Sequence, residues 1–321
     1  MAADPPAAAH PADAAATARD LLRRLDLAVT RRLDGFLQGD YQGLVPGHGS
    51  ESGEARLYRP GDDVRRIDWN VTARTHVPHV RETIAERELE SWMLVDLSPS
   101  LEFGTARCEK RDLAIAAAAA VGFLTARLGN RIGAVVLHGQ TIRRVPARTG
   151  RPHLSALLHS LLTIPRAGDS PRDGRDGEAT DLARGITQLA RVAQRRGLAV
   201  VISDFLAPDG WERQLRALAG RHDALAVEVV DPRELALPNV GLLSLVDPET
   251  GRRLEVQTAS APLRARYAAA ATAQRAAIAR SIRTAGADHL VLRTDNDWLL
   301  DMVRFVSGRR RRRAGVPRRA S

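Results

Sequence analysis

From residue 90 onward, short apolar runs of strand length alternate with longer stretches of helical periodicity. Trp92-Met93-Leu94-Val95 and Leu198-Ala199-Val200-Val201-Ile202 are unbroken apolar runs, the pattern of strands covered on both faces. The spacing predicts strands over 91–96, 132–137, 198–203, 224–230 and 288–293, with helices over 109–128, 153–162, 181–196, 210–219, 261–284 and 297–306. Gly139 turns the chain into 141–145, an expected antiparallel edge strand. Residues 242–246 and 253–256, joined by Asp247-Pro248-Glu249-Thr250-Gly251, read as a hairpin inserted within 238–257. The helix from 109 is alanine-rich and apolar nearly all round, as expected of one sandwiched between a sheet and its neighbours. Strands alternating with helices through right-handed connections give an α/β fold with a doubly wound, mostly parallel sheet.

The pattern also divides the chain. Residues 1–18 are Ala/Pro-rich and are expected to be disordered. Residues 19–89 hold an amphipathic helix over 20–37, then a charged segment over 41–87 in which Gly and Pro break the periodicity into loops and small strands. The main domain is expected over 90–306 and a basic, disordered tail over 307–321, with no internal repeat.

Charge changes the picture less than its total implies. The net charge is +10, but seven arginines, Arg309 to Arg313 with Arg318 and Arg319, lie in the last 14 residues without an acid among them. Such a run binds phosphates or an acidic surface, or is simply a solvated terminus. Lys110 is the single lysine, so basic character here is almost wholly arginine. The lone Cys108 and the lack of a Cys/His cluster fit a reducing compartment and exclude a zinc site of ordinary spacing, which makes the cytoplasm the expected location. The N-terminal stretch lacks the basic start and apolar centre of a secretory signal, and the longest apolar run, 113–124, is too short to span a bilayer.

Three short stretches carry the candidate chemistry: Asp96-Leu97-Ser98-Pro99-Ser100, Thr180-Asp181 and Ser203-Asp204. Each stands where a strand ends or a helix begins, the rim at which open α/β sheets build their sites. Asp96, Ser98, Ser100, Thr180 and Asp204 offer oxygen alone, which suits a hard divalent cation such as Mg²⁺ or Mn²⁺, with Ca²⁺ the alternative. Taken singly, each has a structural role open to it: Ser98 and Ser100 in a turn, Thr180 as the N-cap of the next helix, Asp204 as the cap of the following turn.

The joint placement resembles the von Willebrand factor A fold and its metal-ion-dependent adhesion site. The resemblance implies Ser98, Ser100 and Thr180 as ligands, direct or through water, with Asp96 and Asp204 direct or water-mediated. It also implies a cation with unquenched charge that takes a partner's carboxylate as a further ligand. Upstream, Gly47-His48-Gly49-Ser50, then Tyr58-Arg59-Pro60-Gly61-Asp62-Asp63-Val64-Arg65-Arg66-Ile67-Asp68-Trp69, then Thr72-Ala73-Arg74, is similar to the signature of the bacterial family called domain of unknown function 58. That resemblance implies a MoxR-type AAA+ ATPase, or its client, as partner. Within the signature, Pro60-Gly61-Asp62-Asp63 reads as a tight turn, Arg59, Arg65 and Asp68 as ion-pairing residues, and Trp69 as a packing anchor.

Two rival functions remain. Asp96 at a strand end is placed for phosphoryl transfer, but Ser98 stands where haloacid-dehalogenase-like phosphatases put a second Asp. The chain also lacks G-x-S-x-G, G-x-x-x-x-G-K-[ST] and G-x-G-x-x-G motifs, so no enzyme is expected. A nucleic-acid binder acting through the arginine run is the other rival, weakened by sparse aromatics and the absence of a recognition motif.

Overall fold

The computed structural model describes residues 55–59, 64, 67–81, 90–166, 180–208 and 210–313. The expectations for 1–18, the helix over 20–37, Gly47 to Ser50, the turn at 60–63 and the end of the arginine run from 314 lie outside the described residues. The chain divides into two compact units, of which Pro46–Glu88 is one. In it, β1 (Ala55–Leu57) pairs antiparallel with β2 (His79–Arg81), and α1 (Trp69–Thr75) lies between them in sequence. The Asp68 carboxylate accepts from the N–H groups of Asn70 and Val71 at 3.1 and 3.3 Å, so it caps α1. That cap places Trp69 in the first turn of a short helix that buries none of its residues; Trp69 is 69 % exposed and is not a packing anchor.

The other unit carries the sheet. Its elements run β3 (Glu90–Asp96), α2 (Lys110–Arg127), β4 (Arg131–His138), β5 (Thr141–Arg148), α3 (Arg151–Leu162), α4 (Leu182–Val192), β6 (Leu198–Ser203), α5 (Trp211–Arg221), β7 (Asp223–Val230), β8 (Leu242–Val246), β9 (Arg253–Gln257), α6 (Ala261–Thr284), β10 (Asp288–Arg293) and α7 (Trp298–Arg313). Six strands form one sheet in the order β10-β7-β6-β3-β4-β5, parallel throughout except for β5, which runs antiparallel to β4 at the edge. β8 and β9 form a separate two-stranded antiparallel hairpin.

Alternate residues of the central strands feed two cores. On one face Met93, Val95, Val136, Val200, Ile202 and Val227 pack with α2, α3 and α7. On the other, Leu94, Leu137, Ala199 and Val201 pack with α4, α5 and α6. The period-2 alternation of side chains between two buried faces explains why the runs 92–95 and 198–202 are apolar at every position. Ala116 to Ala120 are all 5 % exposed or less, so α2 packs closely against the sheet and is covered all round. Gly185 does the same for α4: a Cβ there would sit 3.2 Å from Leu94 and Leu137.

The chain leaves β3 for β4 on one side and later returns to β6 on the other, while α2 and α5, which follow β3 and β6, lie on opposite faces. The carboxyl ends of β3 and β6 therefore flank the topological switch point, where connections diverge and leave a crevice.

One boundary moves. α7 continues past 306 to Arg313, and Arg309 is 1 % exposed, donating from Nε to Asp288 and from Nη2 to Asp223, each at 2.6 Å. Two carboxylates at the starts of β10 and β7 meet that guanidinium, so the folded domain extends beyond 306 and Arg309 does not belong to a tail. Among the described residues, no helix is long and apolar enough to cross a membrane.

Candidate functional site

The last residue of β3, Asp96, is 2 % exposed and is held from two sides. Its Oδ1 accepts the Ser98 N–H at 3.0 Å, and its Oδ2 accepts the Ser203 hydroxyl at 2.7 Å across the switch point. The Ser98 hydroxyl lies 3.1 Å from that of Ser100. Ser98 precedes a short 3-10 helix, Pro99–Glu102, without capping it, which leaves both hydroxyls turned to the cluster. Burial, then the negative charge of Asp204, pushes the Asp96 carboxyl up to about 7, against the hydrogen bonds that lower it.

Thr180 does not cap α4. Asp181 does, accepting the Arg184 N–H at 2.8 Å, and the buried Thr180 is left to turn elsewhere. Its N–H and hydroxyl donate to Oε2 of Glu249, at 3.2 and 2.9 Å. The other oxygen of that carboxylate, Oε1, accepts the Ser100 N–H at 3.0 Å. Thr180 thus joins Ser98 and Ser100 through Glu249, a residue of the hairpin loop.

Asp204 follows β6 and is 2 % exposed. Oδ1 accepts the Leu206 N–H at 3.1 Å, so the capping role is half of what it does; Oδ2 accepts from Lys110 Nζ at 2.8 Å. Burial alone would raise Asp204, but the Lys110 ammonium and its hydrogen bond, with the Leu206 N–H and the Arg275 charge, hold it below the ordinary carboxylate range. Burial likewise disfavours the Lys110 ammonium, and the charges of Asp204 and Glu234 outweigh it. Lys110 also pairs with Glu234, which binds Arg275 at 2.8 Å; Arg275 in turn binds Glu228 at 2.9 Å, and Glu228 meets His289 at 2.6 Å. An ordered row of alternating charge therefore continues from Asp204 along the β7 and β10 side. Beside it, Phe205 takes a left-handed φ of 57° while 2 % exposed, its ring 5.1 Å from that of Trp211. Such a conformation in a bulky residue is strained and persists because the packing around it is fixed.

The donor set fits a hard divalent cation. Among the described residues no group of three or more His, Cys, Asp or Glu side chains could hold a metal ion, so a cation at this rim would need the serine and threonine hydroxyls as well. Burial, then the like charge of Asp204, works against ionisation of Asp96, and a cation beside it would favour the carboxylate. The structure brings Ser98 against both Asp96 and Ser100, joins Thr180 to Ser100 through Glu249, and leaves the Asp204 carboxylate engaged by Lys110. Three participants were missed from sequence. Lys110 had a signal, as the one lysine in an arginine-rich chain; Ser203 stood beside a named Asp; Glu249 had none, because nothing in a strand pattern says where a hairpin tip comes to rest.

The mostly parallel sheet with helices on both faces is consistent with a von Willebrand factor A-like α/β fold. The chain belongs to the family described as protein of unknown function DUF58, whose model matches residues 54–277. It is 56 % identical over 292 residues to the uncharacterized proteins Mb1516 of Mycobacterium bovis and Rv1480 of Mycobacterium tuberculosis, covering 90 % of this chain and 89 % of each relative. Among solved structures, it is similar to the conserved hypothetical protein BatB from Bacteroides thetaiotaomicron, at 14 % identity and a TM-score of 0.41 over 70 % of this chain and 99 % of that one. It is also similar to an aerotolerance-related membrane protein from Bacteroides fragilis, at 13 % identity and a TM-score of 0.42 over 68 % and 99 %. Likeness that loose has no bearing on function.

Proposed function

We propose that this domain is a protein-interaction module that engages an acidic side chain of a partner through a divalent cation, Mg²⁺ or Mn²⁺, at the rim between β3 and β6. The observation that carries the reading is the meeting of Ser98 and Ser203 on a buried Asp96 at the switch point, with the Ser98 hydroxyl against that of Ser100 and not used to cap the 3-10 helix that follows it. Asp96, Ser98, Ser100, Thr180 and Asp204 would hold the ion. The ion's chemistry is attraction of an anion, and the chain's own contribution is to keep the oxygens fixed and the carboxylates desolvated. Binding is the role assigned, with no bond-breaking step, because Ser98 stands where phosphoryl transfer needs a second acid. Family resemblance puts forward a MoxR-type AAA+ ATPase or its client as the partner, and complex assembly or chaperone-like maturation in the cytoplasm as the setting. Nucleic-acid binding through the arginine run draws less support, since Arg309 is buried against Asp223 and Asp288.

Affinity capture with the full chain tests the reading in three arms: with Mg²⁺, with a chelator, and with Asp96→Ala. Partners retained in the first arm and lost in the other two are expected. The same partners in all three overturn it.

A further inference from the structure

The hairpin that interrupts the fold between β7 and α6 ends in a turn built around Asp247. Its carboxylate accepts from the N–H groups of Glu249 and Thr250 at 3.0 and 3.4 Å and from the Thr250 hydroxyl at 2.5 Å, while Gly251 N–H donates to the Asp247 carbonyl at 2.8 Å. At the other end, Thr258 ties the base: its N–H and hydroxyl donate to the Gly241 carbonyl at 2.6 and 2.7 Å, and its hydroxyl accepts from Val240 N–H at 3.1 Å. Between these two fixed points the stalk is poorly covered: Leu242, Val246 and Leu254 are 64, 54 and 63 % exposed. An isolated two-stranded hairpin is marginal on its own. This one reaches the rim through a single ordered carboxylate, half-buried Glu249, which takes three hydrogen bonds there from residues of two separate loops.

We propose that Glu249 is the chain's own occupant of the seat in which a partner's carboxylate binds, so that a partner must displace the hairpin tip to engage the site. The inference rests on the function proposed above and adds its regulation. The Ser100 N–H, the Thr180 N–H and the Thr180 hydroxyl all donate to one carboxylate, which is the chemistry an acidic ligand of this rim would meet. A tip that is rigid within itself, on a stalk with little cover, can leave as a unit without unfolding the sheet.

The test uses the full chain, Mn²⁺ and acetate. Water-proton relaxation reports protein-bound Mn²⁺ and the water that reaches it, and acetate added to the complex reports an open carboxylate seat. Wild type, Glu249→Gln and a control on the same hairpin, Glu255→Gln, are compared. Expected is a higher relaxivity for E249Q and displacement of water by acetate at about tenfold lower concentration than in wild type, with E255Q behaving as wild type. Mn²⁺ bound by all three with the same relaxivity and the same acetate response overturns the Glu249 assignment and leaves the metal site standing. Loss of Mn²⁺ affinity in E249Q without a gain in acetate response makes Glu249 a permanent ligand and likewise overturns it. No Mn²⁺ bound by any of the three, wild type included, overturns the metal site and this inference together.

Discussion

Lys110 is buried to 1 % exposure between the carboxylates of Asp204 and Glu234, in the first turn of α2. A compact ammonium with three donors suits that gap in a way a planar guanidinium does not, which gives a physical meaning to the chain's one lysine. Removing it leaves the buried Asp204 carboxylate without its ammonium and facing the half-buried Glu234. Lys110→Met is expected to lower unfolding free energy by roughly 3–5 kcal/mol, the usual cost of breaking a buried pair from one side, read as a lower urea midpoint. A loss below about 1 kcal/mol would show the pair to be open to water. Two positions earlier, Cys108 is half-buried, and burial, then the charges of Asp112, Asp231 and Glu109, pushes its thiol up to about 11. Little thiolate exists at pH 8. Iodoacetamide should therefore modify Cys108 on the order of 100-fold more slowly than a free cysteine, and mass spectrometry over a time course checks the rate.

At the scale of elements, the ends of strands are tied by carboxylates that the strand pattern does not reveal. Asp231, directly after β7, is wholly buried and accepts from Thr105 N–H, Thr105 Oγ1, Thr294 Oγ1 and Arg233 N–H at 2.7 to 3.0 Å. Burial works against its charge, but those donors hold it below the ordinary carboxylate range. A depressed folded pKa means that the stabilisation is present above the ordinary carboxylate value and is lost as pH falls through the folded one. Asp231→Asn turns an amide against donors and is expected to cost roughly 1–3 kcal/mol at neutral pH. The difference from wild type should shrink on acidification below about pH 4, followed by denaturant titration across pH. A difference that grows in acid contradicts the assignment. The elements themselves were largely legible. Continuous apolar runs marked β3 and β6, and the alanine run marked α2, because burial on both faces of a sheet leaves a composition that local patterning can register. Contacts between distant loops, such as Glu249 to Thr180 or Asp231 to Thr105, were not legible, because hydrogen bonds between loops leave no periodicity. Asp181, not Thr180, caps α4, although both are good capping residues, and which of two neighbours takes the role depends on what the other has to bind.

For the molecule as a whole, the site lies where the winding of the sheet reverses, and its parts come from separate loops, with Asp96 and Ser203 meeting across more than 100 residues of sequence. A cation held there, as proposed, would bind only the folded arrangement and so would shift the unfolding equilibrium by mass action. At a hundredfold excess of free Mg²⁺ over its dissociation constant, the gain is roughly 2.7 kcal/mol. In a domain of this size that raises the thermal midpoint by several degrees, at about 2–4 °C per kcal/mol. Scanning calorimetry with Mg²⁺ and with a chelator is expected to separate wild type in this way and to leave Asp96→Ala unmoved. Equal midpoints for wild type in both buffers count against a cation at this rim. The pairing of Asp204 with Lys110 was not legible in the sequence, because it follows from the start of α2 meeting the end of β6, a relation of the whole fold.

The antiparallel margin at β5 has a consequence for life in a crowded solution. Arg143, Arg144 and Arg148 are exposed along it, and Pro146 has no N–H to offer a neighbouring chain. Positive charges repel a like copy, and the missing donor interrupts any ladder laid against the strand. A sheet with so apolar an interior is thereby shielded on that flank from growing into aggregates by strand addition, even at high concentration.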